Sequence, residues 1–298
     1  MKLDKAYIEI TKKTKGSKKE KDLVEMEESK EIFFEPHCVD STKPENLISY
    51  TNIEVDGNLL ENVVDYKPDE DITFNVGQEY TNVDGIVTFR GSSFRDNPTY
   101  GYANMTNYKL NKLWSADTGS LSSGSAVWTG SGWTGQSLMA KWPKEVKAHM
   151  NMTEKAKADD DLVEVIYACM DGYVYFLDLR TGEKTRDPLY LGYTFKGAGA
   201  LDPRGYPIMY VGAGYNSNEG TARVFVVTCW IAVLCIHLEI MMNSRSAASL
   251  SFFDGSALVD AETDTLIYPG ENGIVYLIKL NTNYDQNNGT LSINPGRL

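Results

Sequence analysis

Ile166-Tyr167-Ala168-Cys169-Met170-Asp171-Gly172-Tyr173-Val174-Tyr175-Phe176-Leu177-Asp178 decides the fold class. Runs rich in β-branched and aromatic residues flank Asp171-Gly172, a dipeptide that accepts the positive φ of a hairpin turn. The pattern predicts strand, two-residue turn, strand. Tyr173, Tyr175 and Leu177 then share one face, with Val174, Phe176 and Asp178 on the other. The same pattern returns at an offset of 101 residues, where Ile166-Tyr167 matches Ile267-Tyr268 and Asp171-Gly172 matches Asn272-Gly273. Val174-Tyr175 matches Val275-Tyr276, and Leu177, Leu179 and Thr181 match Ile278, Leu280 and Thr282.

A looser copy lies between the two, in Tyr206–Gly212 and Arg223–Val226. The offset therefore spans two units of roughly 40–60 residues, the length of one propeller-type repeat. Leading strands recur at Gly199-Ala200-Leu201 and Ser256-Ala257-Leu258-Val259, each feeding a polar turn and then a Tyr-bearing strand. The reading is an all-β chain built from a repeated four-stranded meander.

Composition narrows the partners. The net charge is -12, and residues 35–84 alone hold twelve acidic side chains against two lysines. Phosphate binding needs clustered Lys and Arg, so nucleic acid is excluded as an expected partner. The basic run Lys12–Lys21 is followed directly by the acidic Glu25–Glu31 and reads as a solvated, flexible tail over residues 1–34. That tail lacks the apolar core of an export signal. Residues 35–85 read as an acidic β-rich lead-in, with turns at Asp56-Gly57 and Asn75-Val76-Gly77 and a strand at Ile72-Thr73-Phe74. Cys38, Cys169, Cys229 and Cys235 form no CxxC pair. A Cys38–Cys169 disulfide and two buried free thiols are both compatible with the spacing.

A family resemblance enters at Val87-Thr88-Phe89-Arg90-Gly91, followed by a turn holding Arg95 and Pro98, then Gly101, Leu113-Trp114 and Thr118-Gly119. This order resembles the opening of PQQ-like β-propellers, the fold of quinoprotein dehydrogenases and of an outer-membrane assembly lipoprotein. Phe176-Leu177-Asp178-Leu179-Arg180-Thr181-Gly182-Glu183 resembles the blade signature of that family, Ala-x-Asp-x-x-Thr-Gly-x-x-x-Trp. The resemblance implies blade-structural roles for Arg90, Gly91, Arg95, Asp178, Thr181, Gly182 and Gly273. It further implies that the two arginines bond backbone carbonyls at a blade junction.

Two departures stand out. Arg186 occupies the place of the Trp that packs between blades. In the second copy Lys279 replaces the Asp and Asn283 the Gly, a change that a left-handed Asn tolerates. The resemblance covers residues 86–298 and implies a partial propeller of about four blades, an incomplete ring expected of a fragment. It also implies an extracytoplasmic location.

Val226–Met242 breaks the pattern, with two cysteines and neither Gly nor Pro. It is too short for the roughly 20 residues that span a bilayer, so no transmembrane segment is expected. Two readings stand over 226–248: a buried core strand or helix, or a local shift of reading frame. Under one codon choice the alternative frame gives Leu-Leu-Asp-Cys-Ser-Val-Val-Tyr-Thr-Phe-Gly-Asn-Asn-Asp-Glu-Phe, a blade-like strand and turn. The gene sequence decides between them.

The best ligand candidates are Trp128 and Trp133 on a Gly-rich segment, with Gln136 and Trp142 close by. They form either a platform for a sugar or another flat ligand, or packing between blades. No paired zinc spacing, calcium loop or nucleophile elbow is present, so neither a metal nor a catalytic residue is assigned. Two functions follow. The first is a non-catalytic scaffold presenting loops to a protein or carbohydrate partner without a cofactor. The second is a PQQ-dependent dehydrogenase, which the resemblance would equip with the quinone and Ca2+. This sequence has no adjacent cysteines for the vicinal disulfide common in such enzymes.

Overall fold

The computed structural model describes residues 40, 43–46, 52–55, 58–74, 79–132, 134–214, 222–229, 235–239 and 252–296. The chain divides into two compact units, Met1–Asn52 and Ile53–Leu298. In the first, a 3-10 turn spans Pro44–Asn46, and the Asn46 amide donates to the Asp40 carbonyl at 2.6 Å. The second unit contains the sheets.

Most described elements are short strands paired antiparallel, so the chain is all-β, with two short helices among the described residues. β1 (Glu54–Val55) and β2 (Asn58–Leu59) make a hairpin. β3 (Asp84–Ile86) is followed by a second hairpin of β4 (Ser120–Ser123) and β5 (Ala126–Thr129). β6 (Leu138–Lys141) leads into α1 (Lys144–His149) and α2 (Glu154–Ala158). Thr153 caps α2 by accepting the Ala156 N–H, satisfying a donor that the first turn leaves open. β7 (Glu164–Ala168), β8 (Tyr173–Asp178) and β9 (Leu189–Tyr190) complete a first sheet of order β3-β6-β7-β8-β9.

The second sheet is a meander of β10 (Ala200–Leu201), β11 (Ile208–Gly212), β12 (Arg223–Thr228) and β13 (Cys235–Glu239). The third is β14 (Leu258–Asp260), β15 (Thr265–Pro269) and β16 (Val275–Lys279). A last hairpin, β17 (Thr282–Asp285) with β18 (Thr290–Ile293), ends the described chain. No sheet closes on itself among the described residues.

The three sheets stack in chain order, and period-2 alternation shows how. Met209, Val211, Phe225 and Val227 of the second sheet share one core with Leu138, Ile166, Val174 and Phe176 of the first. Their alternates Ile208, Tyr210, Val224 and Val226 share the other core with Leu266, Tyr268, Tyr276 and Ile278 of the third. β11 is buried at every position because water reaches neither face. Each Phe or Leu so placed contributes about 1.5–3 kcal/mol by leaving water.

Several expectations need correction. The hairpin turns at 170–172 and 271–273 are three-residue loops, not two-residue ones. Cys169 N–H donates to Tyr173 O at 2.8 Å, and Gly270 N–H to Ile274 O at 2.8 Å, closing both loops identically. Gly172 at φ 87° and Gly273 at φ 80° take the left-handed position that ends such a loop. Asn283 does not form a left-handed corner. It lies inside β17, and Asn281 takes the positive φ of 49° instead.

Ile72–Phe74 is not a strand. Phe74 stands at φ 50°, and its N–H donates to Asp260 Oδ1 at 2.7 Å, so a carboxylate takes the place of a ladder partner. Asn75, Val76 and Gly77, with Asp56 and Gly57, lie outside the described residues. Of the apolar stretch 226–242, the first three residues complete β12 and residues 235–239 form β13, paired Val227 to Cys235. A strand reading therefore holds for those parts, and residues 230–234 and 240–251 lie outside the description. No helix among the described residues is long and apolar enough to cross a membrane.

Candidate binding site

The sequence-selected residues scatter over three settings. Gly91 at φ 83° and Arg90 at φ 56° build a tight turn, which Gln136 holds by accepting the Arg90 N–H at 2.8 Å. The Gln136 amide donates onward to Pro98 O at 2.9 Å, so both ends of this side chain brace the 90–98 loop. Arg95 donates to Phe89 O at 2.8 Å and Ser256 O at 3.2 Å, tying the loop to the segment that leads into β14. The Arg90 side chain is exposed and takes no carbonyl among the described residues.

Asp178, Thr181 and Gly182 form one corner after β8. Asp178 Oδ1 accepts the Arg180 N–H at 2.8 Å, the Gly182 N–H donates to Asp178 O at 2.8 Å, and Thr181 Oγ1 accepts the Glu183 N–H at 3.2 Å. Gly182 stands at φ 71° against the Trp114 ring, where an added Cβ would meet a ring carbon at 2.6 Å. Trp114 Nε1 donates to Leu179 O at 2.9 Å.

Arg186, in the place where the resemblance expects Trp, carries out inter-sheet packing by charge. Its guanidinium lies 4.4 Å from the Phe176 ring centroid and its Nε donates to the fully buried Glu164 at 3.0 Å. Nη1 reaches the second sheet at Cys229 O, 3.0 Å away. Trp142 is only 3% exposed and gives its indole N–H to Glu164 Oε2 at 2.9 Å. Trp142 therefore stands in the core as part of this buried network, not on a surface platform. Trp133 lies outside the described residues.

Trp128, half-buried at the end of β5, meets a group that the sequence did not single out. Lys196, from the β9–β10 connection, holds its ammonium 5.6 Å from the Trp128 ring centroid and 4.8 Å from that of Phe252. Asp254 Oδ2 lies 3.5 Å from the same ammonium. Glu271, in the β15–β16 loop, is joined on by its N–H donating to Phe252 O at 3.0 Å. Partial burial, and then the neighbouring Asp254 charge, push the Glu271 carboxyl above its usual range, with Lys196 opposing. Thr134 Oγ1 donates to Lys196 O at 2.8 Å, fixing the Gly-rich segment to the site. Comparison of the chain with protein-family models, curated proteins and solved structures finds no match. The site must be read from its own chemistry.

That chemistry is an indole and a phenyl ring with one ammonium and two carboxylates, carried on the β4–β5 hairpin, the β9–β10 and β13–β14 connections and the β15–β16 loop. Such a set presents flat apolar area beside hydrogen-bonding groups, as polyhydroxyl and peptide ligands require. Among the described residues no three His, Cys, Asp or Glu side chains come together as metal ligands. The Asp159–Asp161 acids are engaged otherwise: Asp159 pairs with Arg180 and accepts the Asp161 N–H.

Cys169 and Cys229 are free and buried, and Cys38 lies outside the described residues. Burial pushes both thiols up to about 11, and Cys169 Sγ donates to Gly130 O at 3.1 Å. The Lys196 cluster was missed because its members are single residues on separate loops. The one local signal was glycine: an added Cβ at Gly135 would meet Lys196 O at 2.9 Å, and one at Gly197 would strike the Asp254 backbone.

Proposed function

We propose that this chain is a non-catalytic, cofactor-free binding and scaffolding module of the β-propeller kind, presenting loops to a protein or carbohydrate partner. The observation that carries the reading is the Trp128–Lys196–Phe252–Asp254–Glu271 group, assembled from the β4–β5 hairpin and the connections around the stacked sheets. The stacking in chain order and the likeness of residues 86–298 to PQQ-like repeats support the propeller part of the proposal. An extracytoplasmic location follows from the same likeness.

Titration with a panel of oligosaccharides and short peptides, read by tryptophan fluorescence and calorimetry, tests the site. Saturable binding should weaken about tenfold or more in Trp128→Ala and in Lys196→Ala, a loss of roughly 1.4 kcal/mol or more. Binding indifferent to both substitutions, or no binding of either ligand class, overturns the proposal. A quinone absorbance that co-purifies stoichiometrically after adding PQQ and Ca2+ would replace it with the dehydrogenase reading.

A further inference from the structure

Large apolar side chains that face water are concentrated on one stretch of this chain. Of the fifteen such side chains among the described residues, seven fall between Phe89 and Leu113. Tyr102 is fully exposed, Leu110 90% and Leu113 82% exposed, and Met105 and Tyr108 about half. Every residue from 101 to 113 is exposed, and residues 99–113 hold neither helix nor strand. Apolar residues scattered singly over a surface need no explanation, whereas a concentration of them marks a surface that meets something.

The loop is held firmly at both ends. On one side the Gln136 amide donates to Pro98 O at 2.9 Å, and Arg95 reaches Ser256 O. On the other, the Trp114 ring lies against Gly182 and its indole N–H donates to Leu179 O. The Gly119 N–H then donates to Asp171 Oδ2 at 2.7 Å. Between these clamps the Thr106 N–H donates to Asn104 O at 3.1 Å, and Tyr108 stands at φ 49°. The clamps fix where the loop projects, and nothing in the fold covers its side chains.

Its charge is opposite to that of the chain. The whole protein carries -12, yet residues 97–116 hold Lys109 and Lys112 and no acidic residue. The acid just before this stretch is engaged, since Asp96 Oδ1 accepts the Ser92 hydroxyl at 2.5 Å. At physiological ionic strength charges act over about 8 Å, so the sign of the loop decides what it meets. Tyr pairs an apolar ring with a polar tip, and Lys extends an ammonium on an apolar stem, the two habits that suit a bilayer interface. The spacing of 102, 105, 108, 110 and 113 keeps to no strand alternation, which pairing with a partner sheet would need. A fluid surface accepts the side chains in any order.

We propose that loop 99–113 docks this chain on an anionic lipid surface. Its five apolar side chains enter the boundary between headgroups and acyl chains, and Lys109 and Lys112 meet lipid phosphates. The irregular backbone keeps its water at headgroup level, because unpaired N–H and C=O groups do not enter hydrocarbon. This inference rests on the exposure and charge of the loop, and not on the Trp128 site.

The test is flotation of the full chain with vesicles of phosphatidylcholine alone, or of phosphatidylcholine and phosphatidylglycerol at about three to one. Wild type should partition onto the anionic vesicles about tenfold better than onto the neutral ones, and less as salt rises. Lys109→Gln with Lys112→Gln should abolish that preference. Leu110→Ser with Leu113→Ser should weaken binding to the anionic vesicles about tenfold. Val275→Ser with Leu277→Ser, at positions 57% and 54% exposed on the third sheet, should bind as wild type. Circular dichroism melts matching wild type confirm that the variants fold. A wild type that ignores anionic vesicles leaves the loop to a protein partner and overturns the proposal. Equal binding to both vesicle types, or equal losses in the loop and third-sheet variants, also overturns it.

Discussion

The hairpins at 164–178 and 265–279 are near copies in sequence and in local geometry, and they differ almost entirely in what lies against them. Each closes a three-residue loop on a left-handed Gly. Each sets a side chain of the loop on its own strand: Asp171 accepts from Tyr175 Oη at 2.6 Å, and the Asn272 amide donates to Tyr276 Oη at 2.6 Å. The exchange of carboxylate for amide inverts the donor without moving the contact. Yet β8 buries its Val174–Phe176 face, and β16 leaves the matching Val275–Leu277 face in water. Hairpin shape is thus written locally, while burial is conferred by the neighbouring sheet.

The comparison breaks most visibly at its paired core positions. Phe176→Ala should cost about 3–5 kcal/mol by leaving a cavity. Leu277→Ala should fall within about 0.5 kcal/mol of wild type. Denaturant titration of both variants gives the contrast, and equal losses would mean that the two faces are equally packed. Glu164→Gln should be about as damaging as Phe176→Ala, at about 3–5 kcal/mol, since it strands the buried Arg186 charge. The equivalent residue in the second hairpin, Thr265, has no such cation to strand, so Thr265→Ala should cost far less.

Gly172→Ala and Gly273→Ala sharpen the likeness instead. Both force Ala to positive φ, at roughly 1–2 kcal/mol each. Gly172→Ala should be the worse, because its new methyl meets the Tyr190 ring at 3.1 Å, whereas the space at Gly273 is open. The smallest effect concerns Asp260, whose partners belong to the third sheet and the lead-in. Burial disfavours its charge, but hydrogen bonds from Thr263 and Phe74 outweigh that and hold the carboxyl below its usual range. The unfolded chain then takes up this proton first. The contribution is present above the unfolded value near 4 and is lost as pH falls below it through the folded value. Melting temperatures against pH should fall more gently on the acid side in Asp260→Asn than in wild type.

The hairpins were legible because alternation and an Asx-Gly turn are local signals that need no partner. The corner at Asp178–Gly182 was legible for the same reason, since the bonds of Asp178, Thr181 and Gly182 that close it span five residues or fewer. The network of Trp142, Glu164, Arg186 and Cys229 was not, because its members come from four segments and meet only once two sheets have stacked. A sequence window sees in Trp142 an aromatic ring near a Gly-rich segment. It does not see the carboxylate 22 residues on that takes the indole N–H into the core. The Trp128 setting fails for the same reason: Lys196, Phe252 and Asp254 gain meaning only from three-dimensional proximity. The turn length was misjudged by one residue because Asp-Gly serves two-residue and three-residue loops alike.

The segment 74–95 has a consequence for how this chain is made. Phe74 is tied to Asp260, Tyr80 to Val259, Thr88 to Ala257 and Arg95 to Ser256, the Thr88 contact spanning 169 residues. At synthesis rates of about 5–20 residues per second, Thr88 leaves the ribosome roughly 10–30 s before its partner exists. Through that interval the FRG turn and the strand before it have no third sheet to close on. Newly made chains therefore pass through a stage in which this stretch lacks the partners that later cover it, and a chaperone that holds nascent apolar segments would find it there.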